Sequence, residues 1–411
     1  MLRSLFSAVS GLRAHQTKLD VTGNNIANVN TVGYKGSQTV FQDTLSQVIR
    51  AGGAPAADRG GTNPAQVGLG AKVAAITTNW TQGATQSTGR STDFMIEGDG
   101  FFVTRVGTEN LYTRAGSFDF DGEGKLVTPN GGILQGWMAD AAGVVNPNGP
   151  VGDLSVPYGQ TVAPKQTTTG ALGGNLPAGA ATGDTYQTGV TMYDSQGVAQ
   201  KVFYNFTKVA AANTWTLDIK HADGTALVTG ATVAFDTAGA LTTPAAPGTL
   251  AAFTPPAVTY PSWTGPVTID VSALTQFGGS STVAATDQNG YEQGSLQSFQ
   301  LGNDGTITGV YSNGLRQPIG QLALASFSNP SGLEKAGSST FRVGVNSGTA
   351  AVGLAGVGGR GVLNSGALEM SNVDLAEEFT GLIIAQRGFQ ANSRVITASD
   401  EILQDLVNLK R

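Results

Sequence analysis

The residues that could do chemistry in this chain have suitable types but not the spacing that chemistry needs. Gly356, Gly358 and Gly361 form a G-x-G-x-x-G, the pattern that brings a backbone close to a dinucleotide pyrophosphate. No strand-to-helix transition surrounds it and no acidic residue follows in a βαβ context, so it reads as a glycine-rich connector. Asp119, Asp121, Glu123 and Gly124 imitate the first half of a calcium loop, yet Asn130 stands where the bidentate glutamate belongs, which favours a hairpin turn. His15 and His221 are the only histidines, and neither has a second imidazole near it in sequence to make a metal site. There is no G-x-S-x-G elbow, and Glu377 and Glu378, being adjacent on a helix, point in different directions instead of flanking a substrate. The expectation is a non-enzyme without catalytic residues, cofactor or metal.

Composition narrows the class. The 411 residues allow two or three domains with real cores. Cysteine is absent, which removes disulfides, thiolate metal sites and thiol nucleophiles. Only 13% of residues are charged and 58 are glycine, a balance that suits a β-rich extracellular or structural protein. A net charge of -6 with no basic block argues against nucleic acid, whose recognition needs a Lys/Arg surface. No apolar run reaches membrane-spanning length, and the N-terminus lacks an apolar signal segment with a small-residue cleavage site. Membrane insertion and cleaved secretion are therefore not expected. Work outside the cell would require export that reads an uncleaved terminus.

The elements that dominate the pattern are two helices, one at each end. Leu2, Leu5, Val9, Leu12 and Leu19 follow coiled-coil spacing with Gln16 in the one polar slot, and Gly23 is expected to end that helix. At the other end Leu375, Leu382, Phe389, Ile396 and Leu403 recur every seven residues, joined by Phe379 and Val407, with Gln386, Ser393 and Asp400 interleaved. Asp374, Glu377 and Glu378 suit the first turn of that helix, and Lys410 with Arg411 its last. A helix of this length is marginal alone and needs an apolar partner. The pattern leaves open whether the two helices pair within one chain or pack between chains. The first fifty residues carry five basic against two acidic groups and residues 371 to 411 carry four against six, which favours helix–helix contact in either case.

Between the helices the chain reads as strands and turns. Residues 24–35, rich in Asn and Gly, should leave the helix. Residues 36–50 suit a short helix or an extended piece, and the glycine- and proline-rich 51–70 a flexible loop. Alternating segments at 72–77, 94–103, 117–127, 133–138, 306–311 and 321–327, with Asp-Gly and Asn-Gly turns, predict strands. Residues 159–283 look like an inserted β domain with strands at 189–193, 200–206, 215–219 and 267–271, and Trp215, Trp263, Tyr193, Phe203, Tyr204 and Phe206 as core material. The fold class is α+β, mainly β. The expected division is a terminal helical unit (1–30 with 371–411), connectors (31–70 with 353–370), a discontinuous β domain (71–158 with 284–352) and the insert (159–283).

Several short motifs resemble one family. The opening Leu5-Phe6-Ser7-Ala8-Val9-Ser10-Gly11-Leu12 leads to Asn24-Asn25-Ile26-Ala27-Asn28 and on to Gly33-Tyr34-Lys35. Then come Gly98-Asp99-Gly100-Phe101-Phe102, Tyr112-Thr113-Arg114-Ala115-Gly116, Asn372-Val373-Asp374-Leu375 and Ala385-Gln386-Arg387-Gly388-Phe389-Gln390-Ala391-Asn392. Together they resemble the bacterial flagellar axial proteins, the rod and hook subunits. The termini are common to all members. The insert, with Val190-Thr191-Met192-Tyr193-Asp194-Ser195-Gln196-Gly197, is similar to the hook branch, and a distal rod subunit is the nearest alternative. A surface adhesin is the rival from another class.

The resemblance implies a homopolymer, a helical tube with terminal helices inside and β domains outside, and a flexible joint that carries motor torque. It implies as partners further copies of the chain, the hook cap, the distal rod and hook–filament junction proteins, and the flagellar type III export apparatus. The location it implies is the extracellular flagellum. Compliance is expected in the glycine-rich connectors at 51–70 and 353–366.

Overall fold

The structure, a computed structural model, describes residues 2–55, 60–140, 143–156, 159, 161–257 and 259–408. It divides into two compact units. The first comprises Met1–Val156, Gln300–Thr308 and Pro318–Arg411, and the second Pro157–Phe299 with Gly309–Gln317. Among the described residues α-helices are confined to the two ends, a single 3-10 turn spans Pro330–Gly332, and strands make up most of the rest.

In the first unit, helix α1 spans Leu2–Ala27 and helix α2 spans Leu375–Asn408. α1 runs past Gly23, the expected stop. A glycine inside a helix costs only about 1 kcal/mol, and the true end is made by asparagines. The Asn28 amide turns back to the Asn24 and Asn25 carbonyls, its side chain donates to Asn24 O at 2.9 Å, and Thr31 Oγ1 donates to Asn28 Oδ1 at 3.1 Å. α2 begins where Asp374 Oδ1 accepts the Ala376 amide at 2.8 Å, an N-cap that also complements the helix dipole.

After α1 the chain forms a long β ribbon instead of a connector. Strand Ser37–Asp43 pairs antiparallel with Ala71–Thr78, and Ser46–Arg50 with Ala65–Gly68. The short helix considered for 36–50 is absent there, and the described part of the expected 51–70 loop ends in a strand, with a further bridge between Gly53 and Thr62. Val40 and Phe41 are adjacent, at a register shift in the pairing, and so are Val48 and Ile49, so these strands lack a strict polar–apolar alternation. In the later connector, Ala351–Gly353 and Val362–Ser365 are likewise strands, around a turn containing Gly356, Gly358 and Gly361.

The β core of this unit is built on strand Phe101–Val106, whose neighbours include Glu109–Thr113, Ile133–Met138 and Leu324–Ser326. Alternate side chains enter two clusters. Phe101 meets Phe327 and Phe341 edge-on, with ring centres 5.6 and 6.0 Å apart, while Phe102 meets Phe118 at 5.3 Å on the other side. The calcium-like acidic run is a turn between the short strands Asp119–Phe120 and Leu126–Val127: Asp121 Oδ1 accepts the amides of Glu123 and Lys125.

The second unit packs two sheets on one core. Five antiparallel strands, Thr185–Tyr193, Ala199–Lys208, Thr214–His221, Ala226–Phe235 and Leu241–Thr243, follow in sequence order. The other sheet sets Thr169–Pro177 between Thr268–Phe277, which is parallel to it, and Ala284–Gln288, which is antiparallel. Trp215, Trp263, Tyr204 and Phe206 are fully buried in the shared core, whereas Tyr193 and Phe203, also expected there, are half-buried because they lie on the other face of their strands from Met192 and Tyr204. Residues 284–299 belong to this unit and not to the first β domain, because Ala284–Gln288 supplies the outer strand of the second sheet.

Trp215 carries this core, so Trp215→Ala is expected to destabilise the second unit by about 3–5 kcal/mol. Urea unfolding followed by circular dichroism measures it. A change below about 1 kcal/mol would mean that the core collapses around the gap.

Candidate assembly interface

The two helices pack antiparallel along faces of small residues. Gly11 lies against Asn392, where a Cβ would come within 2.9 Å of the amide, and Gly388 lies against His15, where a Cβ would come within 2.5 Å of the ring. Ala8, Ala385 and Ser399 are buried on these helices too, and Ala14 is buried on the side of α1 that faces Thr44 and Ala71–Val73 of the following strands. Small side chains let the helix axes approach closely, so the contact gains dispersion energy with little apolar bulk.

That geometry leaves the large apolar residues at the margins. Leu5, Val9, Leu12 and Leu19 of α1 and Leu382, Phe389 and Ile396 of α2 are half-buried beside the contact. Leu375, Phe379 and Leu403 are 40, 51 and 36% exposed. The side chains of Leu2 and Val407, and all of Lys410 and Arg411, lie outside the described residues. A second line on α2 was not anticipated. Ile384, Ala391, Val395, Ala398 and Ile402 follow one another at steps of 7, 4, 3 and 4 residues, a single helix face, and all five are exposed. The signal is in the sequence, but its two alanines and the stronger leucine heptad beside it conceal it.

Below the helices the family motifs converge on one buried ionic cluster. Lys35, which follows α1, and Glu369, which precedes α2, meet at 2.6 Å with both side chains wholly out of solvent. Lys35 also donates to Thr81 O at 2.8 Å, and Glu369 Oε1 accepts the Gly83 amide at 2.9 Å. Arg114 lies 3.5 Å from the other carboxylate oxygen, donates to Gly98 O at 2.8 Å and stacks over Phe101 at 5.3 Å. Gly33 closes the arrangement by donating its amide to Glu369 O at 2.8 Å. Its φ of +66° and the Ala115 amide 2.5 Å from a would-be Cβ demand glycine.

An amide shell surrounds this cluster. Asn25 Nδ2 donates to Ser37 O at 2.8 Å and to Glu378 Oε1 at 2.6 Å, and its Oδ1 accepts the Ser37 amide and the Tyr34 hydroxyl. Asn24 donates to the Tyr34 hydroxyl, and Asn372 bonds the Gly36 amide and the Asn79 and Thr81 carbonyls. Of the motif residues, Ile26 is half-buried and Ala27 exposed.

Burial sets the electrostatics. Desolvation lowers the pKa of Lys35 and of Arg114, while Glu369 opposes the shift in both. The 2.6 Å contact between fully buried partners fixes the state as an ion pair, because an uncompensated charge there would cost several kcal/mol. Burial and Glu378 raise the Tyr34 pKa, keeping the phenol neutral as a donor to Asn25. In the helix contact, burial and then Lys18 lower the His15 pKa, and its Nδ1 is buried without a partner.

Four family descriptions match the chain in order: "Flagella basal body rod protein" over residues 5–35, "Flagellar hook protein FlgE/F/G D1 domain" over 95–169, "Flagellar basal body protein FlaE D2 domain" over 159–291 and "Flagellar basal body rod FlgEFG protein C-terminal" over 364–409. The chain is 42% identical to the flagellar hook protein of Treponema pallidum and 41% identical to that of Borreliella burgdorferi, covering 100% of each and 100% of itself. It is 35% identical to a flagellar basal-body rod protein of Bacillus subtilis, again over 100% of both chains.

Glu369→Gln strands Lys35 and Arg114 without a counter-charge, and a loss of about 3–5 kcal/mol is expected by chemical denaturation of the first unit. A loss under 1 kcal/mol, roughly the worth of a surface pair, would show the cluster to be incidental. The helix contact should weaken in acid. Because His15 binds its proton less readily when folded, the contact keeps its full strength above the ordinary imidazole value of 6.5 and loses it as pH falls from there towards the lowered folded value. Amide exchange in α1 measured from pH 8 to pH 5 should show this slope, and His15→Asn should flatten it.

Proposed function

The chain belongs to the bacterial flagellar hook and rod family, and we propose from its geometry how it serves the flagellum. It is a structural subunit of the flagellar hook. The insert at 157–299 is matched by a dedicated D2 description, and the hook proteins of Treponema pallidum and Borreliella burgdorferi, at 42 and 41% identity, are more similar to the chain than the Bacillus subtilis rod protein at 35%.

The subunits assemble with copies of themselves into a curved tube, joined through the terminal helices. One observation supports this reading above the others: the helix pair is closed through small residues, so both flanks of α2 keep large apolar side chains uncovered. Ile383, Ile384 and Ile402 are 57, 57 and 50% exposed, and burying each would contribute about 1.5–3 kcal/mol. A monomer gains nothing from such surface, whereas an assembly does.

The β units then decorate the tube and let it bend. Their surfaces are rich in Thr, Gly, Ala and Asn, so neighbouring subunits slide with little apolar area lost at each step. The helices hold, the β surfaces shift, and the joint transmits rotation around a curved axis without breaking. The subunit works by packing and carries no chemistry of its own. It acts outside the cell, having left through the flagellar export apparatus, and meets the hook cap, distal rod and junction proteins at the ends of the tube.

Ile384→Ser with Ile402→Ser tests the helix surface. The isolated chain should keep its stability to within about 0.5 kcal/mol, as for other exposed substitutions. Electron microscopy should show no tubes at concentrations where the unaltered chain forms them. Normal tubes from the double variant would contradict the reading.

A further inference from the structure

The β ribbon after α1 has two halves with different surroundings. The inner half, Ser37–Asp43 with Ala71–Thr78, lies against α1 and is anchored at its outer limit. The Ala71 amide donates to Ser10 Oγ at 3.3 Å, and Gly70 (φ +121°) approaches so closely that a Cβ would lie 2.1 Å from that oxygen. Thr44 then clasps the Gly70 carbonyl with both its amide and its hydroxyl. Beyond this clasp the hairpin Ser46–Arg50 with Ala65–Gly68 is exposed along both strands, apart from a half-buried Ala65.

One face of that outer hairpin is aliphatic. Leu45, Ile49, Val67 and Leu69 line this hairpin: Gln47 pairs with Val67 and the Leu69 amide donates to Leu45 O, so alternation puts Leu45, Val67 and Leu69 on one side, while Ile49 stands at the register shift between Val48 and Arg50. Their exposures are 82, 65, 40 and 37%. A two-stranded hairpin is marginal in water without a covered face. This one projects from its clasp with four aliphatic side chains uncovered.

We infer that this face seats on the Ile384–Ala391–Val395–Ala398–Ile402 line of a second copy of the chain. The inference rests on the assembly reading above and names which parts of two subunits meet. Three observations select the occupant. Both surfaces are aliphatic, long and uncovered in the same unit. The hairpin face matches the outer part of that line, since Leu45 to Ile49 extends about 13 Å as a strand and Val395 to Ile402 about 10 Å of the roughly 27 Å from Ile384 to Ile402 as a helix. Their charges are complementary at one end: Arg50 is the only charged side chain in the described residues of 45–69, and Glu401 and Asp405 stand exposed beside Ile402, while Arg387 and Arg394 flank the part of the line nearer Ile384. Two different patches of one chain that fit each other make a head-to-tail contact, which propagates into an open helical assembly instead of closing as a dimer.

The absence of cysteine makes the contact directly testable. Equal amounts of an Ile49→Cys chain and an Ile402→Cys chain are assembled together, oxidised mildly and run on a non-reducing gel. Disulfide-linked dimers are expected from the mixture and from neither variant alone, because the bond forms only between residues whose Cα atoms come within about 7 Å. Tubes whose mixture gives no more dimer than the single variants would overturn this inference and leave the assembly reading standing. Failure of the unaltered chain to form tubes would overturn both.

Discussion

A buried lysine–glutamate contact organises this molecule. Lys35 and Glu369 lie 334 residues apart in the chain, yet one ends the exit from α1 and the other begins the approach to α2. Taking two charges fully out of water is costly, and the cost is offset only because Thr81 O, the Gly83 amide and Arg114 complete their coordination. Such a pair adds little net stability over an apolar equivalent. What it supplies is geometry, because any other register would leave a charge unpaired. Both helices therefore leave the β core from one fixed point.

The helices themselves are less committed. Glycine and alanine define their mutual contact, and the larger apolar residues are displaced to the flanks. This separates two demands that a coiled-coil seam would merge. Each chain holds its helices together in register and leaves much of their apolar surface uncovered. Of the two pairings that the heptads leave open, the one within the chain is made through small residues, and the proposed packing between chains would use different residues.

Much of this was legible in the sequence, for physical reasons. The helices are evident because period and charge agree, and two strands of the five-stranded sheet because Val202, Tyr204 and Phe206, and Trp215, Leu217 and Ile219, recur at every second residue. Strand Thr169–Pro177 was missed because Gly170, Gly173 and Gly174 have poor strand propensity, and it is held by tertiary contact alone. The ribbon was mistaken for a flexible connector because Gly52, Gly53 and Pro55 dominate its outer part, while cross-strand pairing, which sequence does not display, decides its structure. The family resemblance marked Gly33, Lys35, Gly98 and Arg114 without explaining them. Only their convergence on Glu369, a residue outside the quoted motifs, gives each a reason.

Hydrogen exchange on the isolated chain and on the assembled polymer tests the central claim most directly, that an ionic anchor is complete in the subunit while the helix surfaces are not. The account requires the Gly33 and Gly83 amides, which bond Glu369 at 2.8 and 2.9 Å, to be protected equally in both states. It also requires α2 between Ile384 and Ile402 to gain protection on assembly. Exchange at Gly33 and Gly83 as rapid in the isolated chain as at Leu45, or an α2 already as protected before assembly as after it, would contradict the account.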